Sequence, residues 1–527
     1  MSRLHAGIAM ALLACGSSDP VGPPPPPGLH GGTVYEIFVR SFADSDGNGV
    51  GDLPGLTAHL DYLNDGDPAT DGDLGVDGVW LMPIFPSPSY HGYDVSDYRA
   101  INPAYGTLAD LDAFLAGAHA RGIKVVIDMV LNHSSRAHPW FVDASAGPTA
   151  ERRDFYTWSS EQPRWTRPWE ATNPWYPSGG AWYYGVFCDC MPDLNLTNPA
   201  VEAELIDAMK FWLARGVDGF RLDAVRYFYE NGAGQQSDQP QNHEFLKRVR
   251  AALTAQYPDA MLVAEAWAPI DIQARYWGNG DEAQLAFSFD LSDALKASAT
   301  SGDASNVINI LARAETTIPD RAYEAPFLSN HDQVRVMRAL ANTPGPARVA
   351  AAALFAMPGT PFLYYGEEVG MLGGAGNADE NKRTAMRWNA AAPGYGFTTG
   401  TPWRTSDEPA GVDVASQQAD AGSLWRLYRA LIELRRENAA LYGAQATRPT
   451  TSGPASLLAL LRTDGDGKRV LFVANFNGAP TGAFTVDLAG TPRLLLAEGL
   501  AAPPSVASGK LSFSDLPAHG FAFVSLD

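Results

Sequence analysis

Short apolar runs alternate with amphipathic stretches along most of the chain. Eight of these runs have the length of buried strands, and they cover residues 34–39, 78–82, 124–130, 219–225, 261–265, 285–289, 325–328 and 361–365. Segments of helical periodicity lie between most of them, such as Leu108 to Arg121 and Val201 to Arg215. Strands that alternate with helices predict a parallel sheet, and eight of them predict a closed α/β barrel, the (β/α)8 or TIM barrel.

Two segments depart from this alternation. Residues 134–198, after the third strand, are rich in Trp, Tyr, Pro and Ser, and such a long connection is typically a functional insertion. After a helix over 423–442, short apolar runs between Gly and Asp turns predict a small all-β domain. We therefore expect the barrel over 32–133 and 199–443, an inserted domain over 134–198, here called domain B, and a C-terminal β-sandwich over 444–527.

The N-terminal segment has the character of an export signal. Residues 1–14 contain Arg3 and a short apolar run, and the stretch up to Gly16 resembles a bacterial lipoprotein box. In that interpretation Cys15 is the lipidated first residue, and the proline-rich residues 15–31 form a stiff tether. A plain cleaved signal is the alternative. We expect an exported monomer: a cell-surface or periplasmic lipoprotein held to the membrane only through Cys15, or a secreted protein.

The net charge and the cysteine content argue against a nucleic-acid partner and against a zinc site. The chain has 527 residues, of which 46% are hydrophobic, and a formal net charge of −21. Because no basic stripe is present to neutralise phosphates, we expect no nucleic-acid partner. Of the three cysteines, Cys188 and Cys190 form either a local bridge or a pair of free thiols, and no second pair has zinc-ligand spacing.

Polar residues collect where the predicted strands end. His133 follows the third strand, Asp223 ends the fourth, Glu265 ends the fifth, and His331 and Asp332 follow the seventh. In a barrel all of these strand ends open onto one face, which is the face where barrel enzymes carry out chemistry. The clustering therefore predicts a catalytic site.

The fourth strand pairs a cation with a carboxylate. Arg221 and Asp223 point to the same side because strand side chains alternate between faces. A guanidinium beside a carboxylate keeps that carboxylate ionised, which is what a nucleophile in covalent glycosyl transfer requires. A purely structural ion pair is the alternative.

Five segments carry a resemblance to a known family. They are 128–133 (Asp-Met-Val-Leu-Asn-His), 219–224 (Gly-Phe-Arg-Leu-Asp-Ala), 263–267 (Val-Ala-Glu-Ala-Trp), 327–332 (Phe-Leu-Ser-Asn-His-Asp) and 359–368 (Gly-Thr-Pro-Phe-Leu-Tyr-Tyr-Gly-Glu-Glu). Together they resemble the signatures of the α-amylase family, glycoside hydrolase family 13, from about residue 33 to the C-terminus. The resemblance implies a retaining glycosidase built on a barrel.

The resemblance also implies a role for each catalytic carboxylate. Asp223 would be the nucleophile, Glu265 would be the general acid and then the base, and Asp332 would bind the sugar 2- and 3-hydroxyls. Two working carboxylates ~5–5.5 Å apart give net retention of anomeric configuration. We expect the charges of Asp223 and Asp332 to raise the pKa of Glu265, and Arg221 to keep the pKa of Asp223 low.

A further set of residues is implied to bind the substrate. Tyr93 would stack on the sugar ring, Asp94 would orient Arg383, and two histidines would donate hydrogen bonds to the same sugar. The substrate-binding residues implied in this way are Tyr93, Asp94, His133, Arg221, His331 and Arg383.

Residues 44–52 read Asp-Ser-Asp-Gly-Asn-Gly-Val-Gly-Asp and resemble an EF-hand-type calcium loop. Oxygen side chains stand at positions one, three, five and nine, but Gly55 replaces the Glu expected at position twelve. An Asp/Gly-rich turn without metal is the alternative. Because members of the resembled family carry such a loop after the first strand, we expect Ca²⁺, or else Mg²⁺. The predicted ligands are Asp44, Asp46, Asn48, Val50 and Asp52.

We therefore expect a retaining α-amylase that cleaves α-1,4-glucosidic bonds of starch or maltooligosaccharides through a covalent glycosyl-enzyme. Ala224, after the nucleophile, is similar to enzymes that cut α-1,4 bonds. The segment Met191 to Asn195 looks intermediate between the oligo-1,6-glucosidase and neopullulanase patterns. The nearest alternative is an α-glucosidase or a transglycosylase such as a trehalose synthase, and a remote one is an inactive surface glucan-binding lipoprotein.

Overall fold

The computed structural model describes residue 29, residues 31–318 and residues 320–527. Each of the eight predicted barrel strands is present, with ends that differ from the predicted ones by a few residues. In chain order, the strands of the barrel and of the insertion are β1 Val34–Ile37, β2 Gly78–Leu81, β3 Lys124–Met129, β4 Trp158–Ser159, β5 Trp175–Ser178, β6 Ala181–Tyr184, β7 Gly219–Leu222, β8 Met261–Ala264, β9 Leu285–Phe287, β10 Glu324–Ala325 and β11 Phe362–Tyr364.

Eight of these strands form one parallel sheet that closes on itself. Their order is β10-β9-β8-β7-β3-β2-β1-β11, and a parallel bridge between Phe327 and Phe362 joins the two edges. The predicted (β/α)8 barrel is confirmed. Strands β4, β5 and β6 form a separate antiparallel sheet within the insertion, in the order β4-β6-β5.

Helices connect and surround the barrel strands. The Thr107 hydroxyl accepts the Asp110 backbone N–H, and the Asp110 carboxylate accepts that of Thr107, so a capping box begins α4. The helices are α1 Val39–Phe42, α2 Leu53–Ala58, α3 Leu60–Leu63, α4 Leu108–Ala120, α5 Pro139–Ala144, α6 Pro199–Ala214, α7 Pro240–Thr254, α8 Ile270–Gln273, α9 Phe289–Ser301, α10 Ser305–Thr317, α11 Val336–Ala339, α12 Pro344–Ala356, α13 Asp379–Lys382, α14 Val414–Ala419 and α15 Leu424–Glu437.

The barrel interior changes from apolar to charged along the strands. Strand side chains point inward at every second residue, so each strand contributes a short column. On β1 the inward position two residues after Val34 holds Glu36, and on β3 the one two residues after Val126 holds Asp128. Arg221 lies on the neighbouring strand β7 and is paired with Asp128 in the parallel ladder. The apolar part of the interior consists of Leu29, Val34, Trp80, Val126, Met261, Val263, Leu285, Phe287, Phe289, Ala325, Phe327 and Phe362.

Leu29 closes the barrel at the end where the strands begin. Its carbonyl accepts hydrogen bonds from the Gly32 N–H and the Thr360 hydroxyl, each at 3.2 Å. A Cβ atom at Gly78, the first residue of β2, would lie 2.4 Å from Leu29 Cδ2, so any larger residue there would force the Leu29 side chain to move. The chain therefore enters the barrel from the face opposite the carboxyl ends of the strands.

The C-terminal domain consists of two antiparallel sheets, as predicted. Their orders are β12-β13-β14-β19-β16 and β15-β18-β17. These strands are β12 Ala446–Thr447, β13 Leu457–Thr463, β14 Arg469–Asn475, β15 Phe484–Val486, β16 Pro492–Glu498, β17 Ser505–Ala507, β18 Lys510–Phe513 and β19 Phe521–Leu526.

The central strands of the larger sheet, β13, β14 and β19, are buried on both faces. Leu457 and Ala459 pack against the smaller sheet, whereas Leu458 and Leu460 join the core shared with the barrel helices. A strand covered on both sides needs apolar residues at every position, which explains the unbroken apolar run in β13.

The predicted signal segment 1–14 and the predicted lipidation residue Cys15 lie outside the described residues, as does the tether over 15–31 except for residues 29 and 31. Within the part of the chain that the structure describes, no helix is both long and apolar enough to cross a membrane.

Candidate active site

The three predicted catalytic carboxylates lie together at the carboxyl ends of the barrel strands. Asp223 directly follows β7 and Glu265 directly follows the neighbouring strand β8, while Asp332 follows β10. Their side chains are 12%, 13% and 32% exposed, respectively. The barrel thus presents three carboxylates to one cleft although they are far apart in sequence.

Arg221 connects the two carboxylates expected to do the chemistry. Its side chain is 1% exposed, and its Nη1 donates to Asp223 Oδ1 at 2.6 Å and to Asp128 Oδ1 at 2.8 Å. Its Nη2 lies 3.0 Å from Glu265 Oε2. The predicted Arg221–Asp223 ion pair is present, and the same guanidinium also binds two other carboxyl groups.

An unusual backbone conformation holds Glu265 in place. Ala224 has φ 53° and ψ 35°, in the left-handed region that residues with a Cβ rarely occupy. In this conformation the Ala224 N–H donates to Glu265 Oε2 at 2.8 Å. Because the Arg221 contact also uses Oε2, both contacts leave Oε1 facing away from them.

The surroundings of Glu265 favour its protonated form near neutral pH. Burial raises the pKa of Glu265 to about 7, against the lowering effect of Arg221. The negative charges of Asp223 and Asp332 add to the rise, as expected from the sequence, although burial is the larger cause.

Below the cleft, a chain of polar groups links strands β1 and β3 with the loops that follow β2 and β10. The Tyr93 hydroxyl donates to Asp128 Oδ2 at 2.9 Å and lies 2.6 Å from His331 Nε2, and His331 Nδ1 donates to Glu36 Oε1 at 2.6 Å. Burial acts to lower the pKa of His331, but the charges of Asp332 and Glu36 raise it to about 9. His331 is therefore cationic at neutral pH and donates from both ring nitrogens.

Asp332 is held ionised by two cations. His331 Nε2 lies 3.2 Å from Asp332 Oδ2, and Arg383 Nη2 donates to Asp332 Oδ1 at 2.8 Å. Burial opposes ionisation, but the charges of His331 and Arg383 lower the pKa of Asp332 far below its ordinary value. An ionised carboxylate can only accept hydrogen bonds, as from the hydroxyls of a sugar.

The predicted pairing of Asp94 with Arg383 is wrong. Asp94 Oδ1 accepts hydrogen bonds from the hydroxyls of Ser87, at 2.5 Å, and Ser89. Arg383 instead pairs with Asp332 and, at 3.5 Å, with Asp379. Asp379 is four residues before Arg383, so local helical geometry provides an acid that competes with the distant Asp94.

The two predicted substrate-binding histidines differ in their environments. His133 is 2% exposed, its Nε2 has no hydrogen-bond partner among the described residues, and burial lowers its pKa to about 4. His331 has no exposed surface, and both of its ring nitrogens already have partners. The geometry thus leaves a neutral His133 able to bind a sugar hydroxyl, whereas His331 positions Tyr93 and Asp332.

Two residues of this network were not predicted as site residues. Asp128 and Glu36 are buried carboxylates on inward positions of β3 and β1. The signal that identifies them is a charged residue at an inward position of a strand that is otherwise apolar, since such a charge requires a partner inside the barrel.

The comparisons with known proteins agree with this geometry. The model of the alpha-amylase catalytic domain matches residues 36–444. The chain belongs to the α-amylase family. It is 36% identical over 446 residues to Alpha-amylase 3 of Dictyoglomus thermophilum, which is 84% of either chain. It superposes on the crystal structure of an alpha-amylase from H. orenii with a TM-score of 0.83 and 37% identity, covering 94% of this chain and 99% of that one.

Other relatives in the α-amylase family have different names. The chain is 33% identical to a trehalose synthase of Pimelobacter sp., covering 93% of this chain and 94% of the relative. It is also 33% identical to an oligo-1,6-glucosidase of Heyndrickxia coagulans over 76% of this chain and 84% of the relative. Membership of the family makes this chain a glycosidase-type enzyme, and the similarity alone does not choose between hydrolysis and transfer.

The predicted metal loop brings three carboxylates together. Oxygens of Asp44, Asp46 and Asp52 lie within 4.8 Å of one another. None of the three forms an ion pair with a basic side chain in the described part of the chain. Several of their oxygens accept backbone N–H groups of the loop, and Asp52 Oδ1 accepts the Gly55 N–H at 2.6 Å. Asp52 thus caps the N-terminus of helix α2, and Gly55, at the position of the missing Glu, lies in the first turn of that helix and offers no side-chain ligand.

Cys188 and Cys190 form a disulfide, which decides between the two alternatives left open by the sequence. The bridge lies in domain B, directly after Phe187, whose ring centroid is 5.2 Å from that of His133. It therefore cross-links a loop that borders the cleft.

We predict that Arg221→Met lowers the free energy of unfolding by about 3–5 kcal/mol at pH 8, because it leaves buried Asp128 without a cation. Burial raises the pKa of Asp128 to about 6 even beside Arg221, so protonation at pH 5 relieves part of the loss. Denaturant unfolding at both pH values measures the difference.

The matched control is Arg99→Met, since Arg99 is 32% exposed and pairs with the surface acids Glu204 and Asp207. It should cost at most about 1 kcal/mol at either pH. Equal stability of the Arg221→Met variant and the wild type would contradict the structural importance of the buried guanidinium.

Proposed function

We propose that the protein is a retaining α-glucan hydrolase of the α-amylase type that cleaves α-1,4-glucosidic bonds. The observation that carries this proposal is the shared guanidinium, because Arg221 binds Asp223 at 2.6 Å and Glu265 at 3.0 Å. One cation between two carboxyl groups keeps them close neighbours, which favours the ~5–5.5 Å spacing of retaining enzymes over the wider spacing of inverting ones.

In the first step Asp223 attacks the anomeric carbon while the glycosidic bond breaks. Glu265, whose pKa burial raises to about 7, gives its proton to the leaving oxygen. The products are a glycosyl ester of Asp223, a Glu265 carboxylate and a free sugar on the leaving side. The unpartnered His133 Nε2 and the ionised Asp332 bind hydroxyls of the distorted sugar ring.

In the second step the Glu265 carboxylate takes a proton from water. The resulting hydroxide oxygen attacks the same anomeric carbon from the opposite face, and Asp223 leaves as a carboxylate. Two inversions give net retention. Arg221 favours the expelled Asp223 carboxylate because it lies 2.6 Å from Oδ1.

The second candidate function is transfer of the glycosyl group from Asp223 to a sugar instead of to water, as in a trehalose synthase. It is favoured by the 33% identity to the trehalose synthase of Pimelobacter sp. over 93% of this chain. Hydrolysis and transfer share the first step and differ in which acceptor Glu265 activates. Product analysis on starch, maltose, maltotriose, isomaltose and pullulan separates them, since a synthase converts maltose to trehalose and a starch hydrolase releases reducing sugar.

The direct test of the nucleophile is Asp223→Asn. We expect the rate of maltooligosaccharide hydrolysis to fall by roughly 10⁴-fold, while calorimetry still detects binding of maltoheptaose. The control is Asp207→Asn, because Asp207 is 73% exposed on helix α6 and should leave the rate unchanged. Hydrolysis by the Asp223→Asn variant at the wild-type rate would refute the assignment.

A further prediction concerns the pH dependence of kcat/KM. Glu265 acts in its protonated form in the first step, and its pKa is raised to about 7, so kcat/KM for maltooligosaccharides should fall as the pH rises through 7. With α-glucosyl fluoride, whose leaving group needs no proton, kcat/KM should stay level over the same range. An alkaline fall of equal size on both substrates would argue against Glu265 as the acid.

We also propose that the loop over residues 44–52 binds Ca²⁺, with Mg²⁺ the alternative. The support is the donor set, because three mutually close carboxylates without a basic partner suit a hard divalent cation. The loop packs against the segment that follows Arg383: the Thr398 hydroxyl donates to Asp44 Oδ2 at 2.5 Å, and the Trp403 N–H donates to the Gly49 carbonyl at 2.8 Å. A bound cation would therefore stabilise this wall of the barrel rather than take part in the chemistry.

The proposed Ca²⁺ site predicts that removal of the ion lowers the thermal stability of the protein. A chelator should lower the thermal midpoint of the wild type, and Ca²⁺ at 100 times its Kd should restore about 2.7 kcal/mol of stability. Asp46→Ala should abolish this response, and Asp67→Ala, at an exposed acid outside the loop, should keep it. Differential scanning calorimetry with Ca²⁺ and Mg²⁺ measures both, and an unchanged midpoint in chelator would refute the site.

A further inference from the structure

The arginine that pairs with Asp332 comes from a short element that is not itself buried. Arg383 directly follows α13, which has four residues, none of them buried. The Arg383 side chain is nevertheless only 3% exposed, and its Nη2 donates to Asp332 Oδ1 at 2.8 Å. Because a single helical turn has little stability of its own, contacts from other parts of the chain must fix Arg383.

Ser41 anchors the backbone of Arg383. Its hydroxyl donates to the Arg383 carbonyl at 2.6 Å, and its own carbonyl accepts the Met386 N–H at 2.7 Å. Ser41 has no exposed surface and lies on helix α1, which follows barrel strand β1. The main chain at Arg383 is therefore attached to the barrel by a residue far away in the sequence.

Tyr90 lies along the side chain of Arg383. Its hydroxyl accepts a hydrogen bond from Arg383 Nη1 at 3.3 Å, and the guanidinium carbon lies 5.7 Å from the centre of its ring. Tyr90 belongs to the loop that follows β2. A second segment of the chain thus contacts the same arginine, this time at its charged end.

Trp403 contacts both Ser41 and Tyr90. Its indole N–H donates to the Ser41 hydroxyl oxygen at 2.9 Å, and its ring centre lies 5.3 Å from that of Tyr90. Because an indole nitrogen only donates, this hydrogen bond leaves the proton of the Ser41 hydroxyl for the Arg383 carbonyl. Trp403 thus completes a closed ring of contacts that runs through Ser41, Arg383 and Tyr90.

Trp403 is itself held by the backbone of the loop over residues 44–52. Its N–H donates to the Gly49 carbonyl at 2.8 Å. Gly49 has φ 91°, and a Cβ atom added there would clash with the carbonyl oxygen of Thr401. A side chain at Gly49 would therefore force the two backbones apart. On its other side, the indole ring lies under the Arg40 guanidinium, whose carbon is 4.9 Å from the ring centre.

We propose that Trp403 is a positioning residue for Asp332, acting through Ser41, Tyr90 and Arg383. The proposal rests on the proposed function, in which the ionised Asp332 binds hydroxyls of the distorted sugar ring. The Asp332 side chain is 32% exposed and lies in a loop, so its direction depends on its partners. A shift of Arg383 would let the carboxylate turn toward solvent, and the transition state would lose an acceptor aimed at it.

The test removes the indole N–H and keeps an aromatic ring. Trp403→Phe should lower kcat for both maltotetraose and α-glucosyl fluoride by about 3- to 10-fold, the effect of one lost hydrogen bond behind a group that acts in the transition state. KM for both substrates should stay within a factor of two, since an interaction made mainly in the transition state changes kcat rather than KM.

The matched control is Trp158→Phe. The indole N–H of Trp158 also donates at 2.9 Å, to the Arg153 carbonyl, and an arginine also lies over its ring. Trp158 is partly buried like Trp403, but it lies on β4 of domain B and packs against Phe141 and Tyr183. The control should lower the thermal midpoint about as much as Trp403→Phe does and leave both kcat values unchanged.

The route through Ser41 and Arg383 is tested by double variants. Ser41→Ala removes both hydrogen bonds of the hydroxyl and should reproduce the fall in kcat. Combined with Trp403→Phe it should cause little further loss, because both changes break the same chain of contacts. In an Arg383→Met background, Trp403→Phe should change kcat by less than a factor of two.

The outcomes separate this proposal from the proposed function. A kcat of Trp403→Phe equal to that of the wild type, or a loss that is fully additive with those of Ser41→Ala and Arg383→Met, would overturn the positioning role while the hydrolase assignment stands. A wild type that releases no reducing sugar from maltooligosaccharides would overturn the hydrolase assignment instead.

A binding measurement decides the positioning role without any turnover. The probe is 1-deoxynojirimycin, a cationic mimic of the reacting glucosyl unit, and calorimetry gives its affinity. This affinity should fall about 3- to 10-fold in Trp403→Phe and stay at the wild-type value in Trp158→Phe. Equal affinities in the wild type and Trp403→Phe would overturn the proposal whichever reaction the enzyme catalyses.

Discussion

A single buried guanidinium, that of Arg221, contacts three carboxyl groups near the carboxyl ends of the barrel strands. It is 1% exposed and pairs with Asp128, Asp223 and Glu265. Burial favours the neutral forms of Asp128 and Glu265, and the charge of Arg221 opposes this effect on both. The same cation contacts Asp223 and Glu265 together, while burial raises the pKa of Glu265 to about 7. The chemistry of the cleft is therefore determined one layer below it, in the barrel interior.

Most of the fold could be predicted because the barrel repeats one local pattern. Apolar runs and helical periodicity located all eight strands, and turn-bounded runs located the C-terminal sheets. The positions of Asp223, Glu265 and Asp332 then followed, since every parallel barrel strand delivers its last residue to the same face. Strand ends were less predictable: β10 has only the two residues Glu324–Ala325 because Phe327 continues the pairing as an isolated bridge.

Partners within the site could not be predicted to the same degree. Arg383 pairs with Asp332 instead of Asp94, and the chain of Tyr93, His331 and Glu36 joins residues separated by hundreds of positions. Sequence periodicity determines which face a side chain occupies, but not which of several opposite charges on that face it meets. The state of Cys188 and Cys190 was undecided for a related reason: the spacing of two residues permits a bridge, and only the loop conformation produces it.

The position of Leu29 shows at which end of the barrel the N-terminal segment meets the folded domain. Leu29 enters the barrel where the strands begin, under Gly78 and beside Thr360, whereas the carboxylates lie at the other end of the same strands. A lipid at Cys15, as predicted from the sequence, would therefore attach the molecule by its closed end. The face that carries Asp223, Glu265 and Asp332 would then be the one free of this attachment.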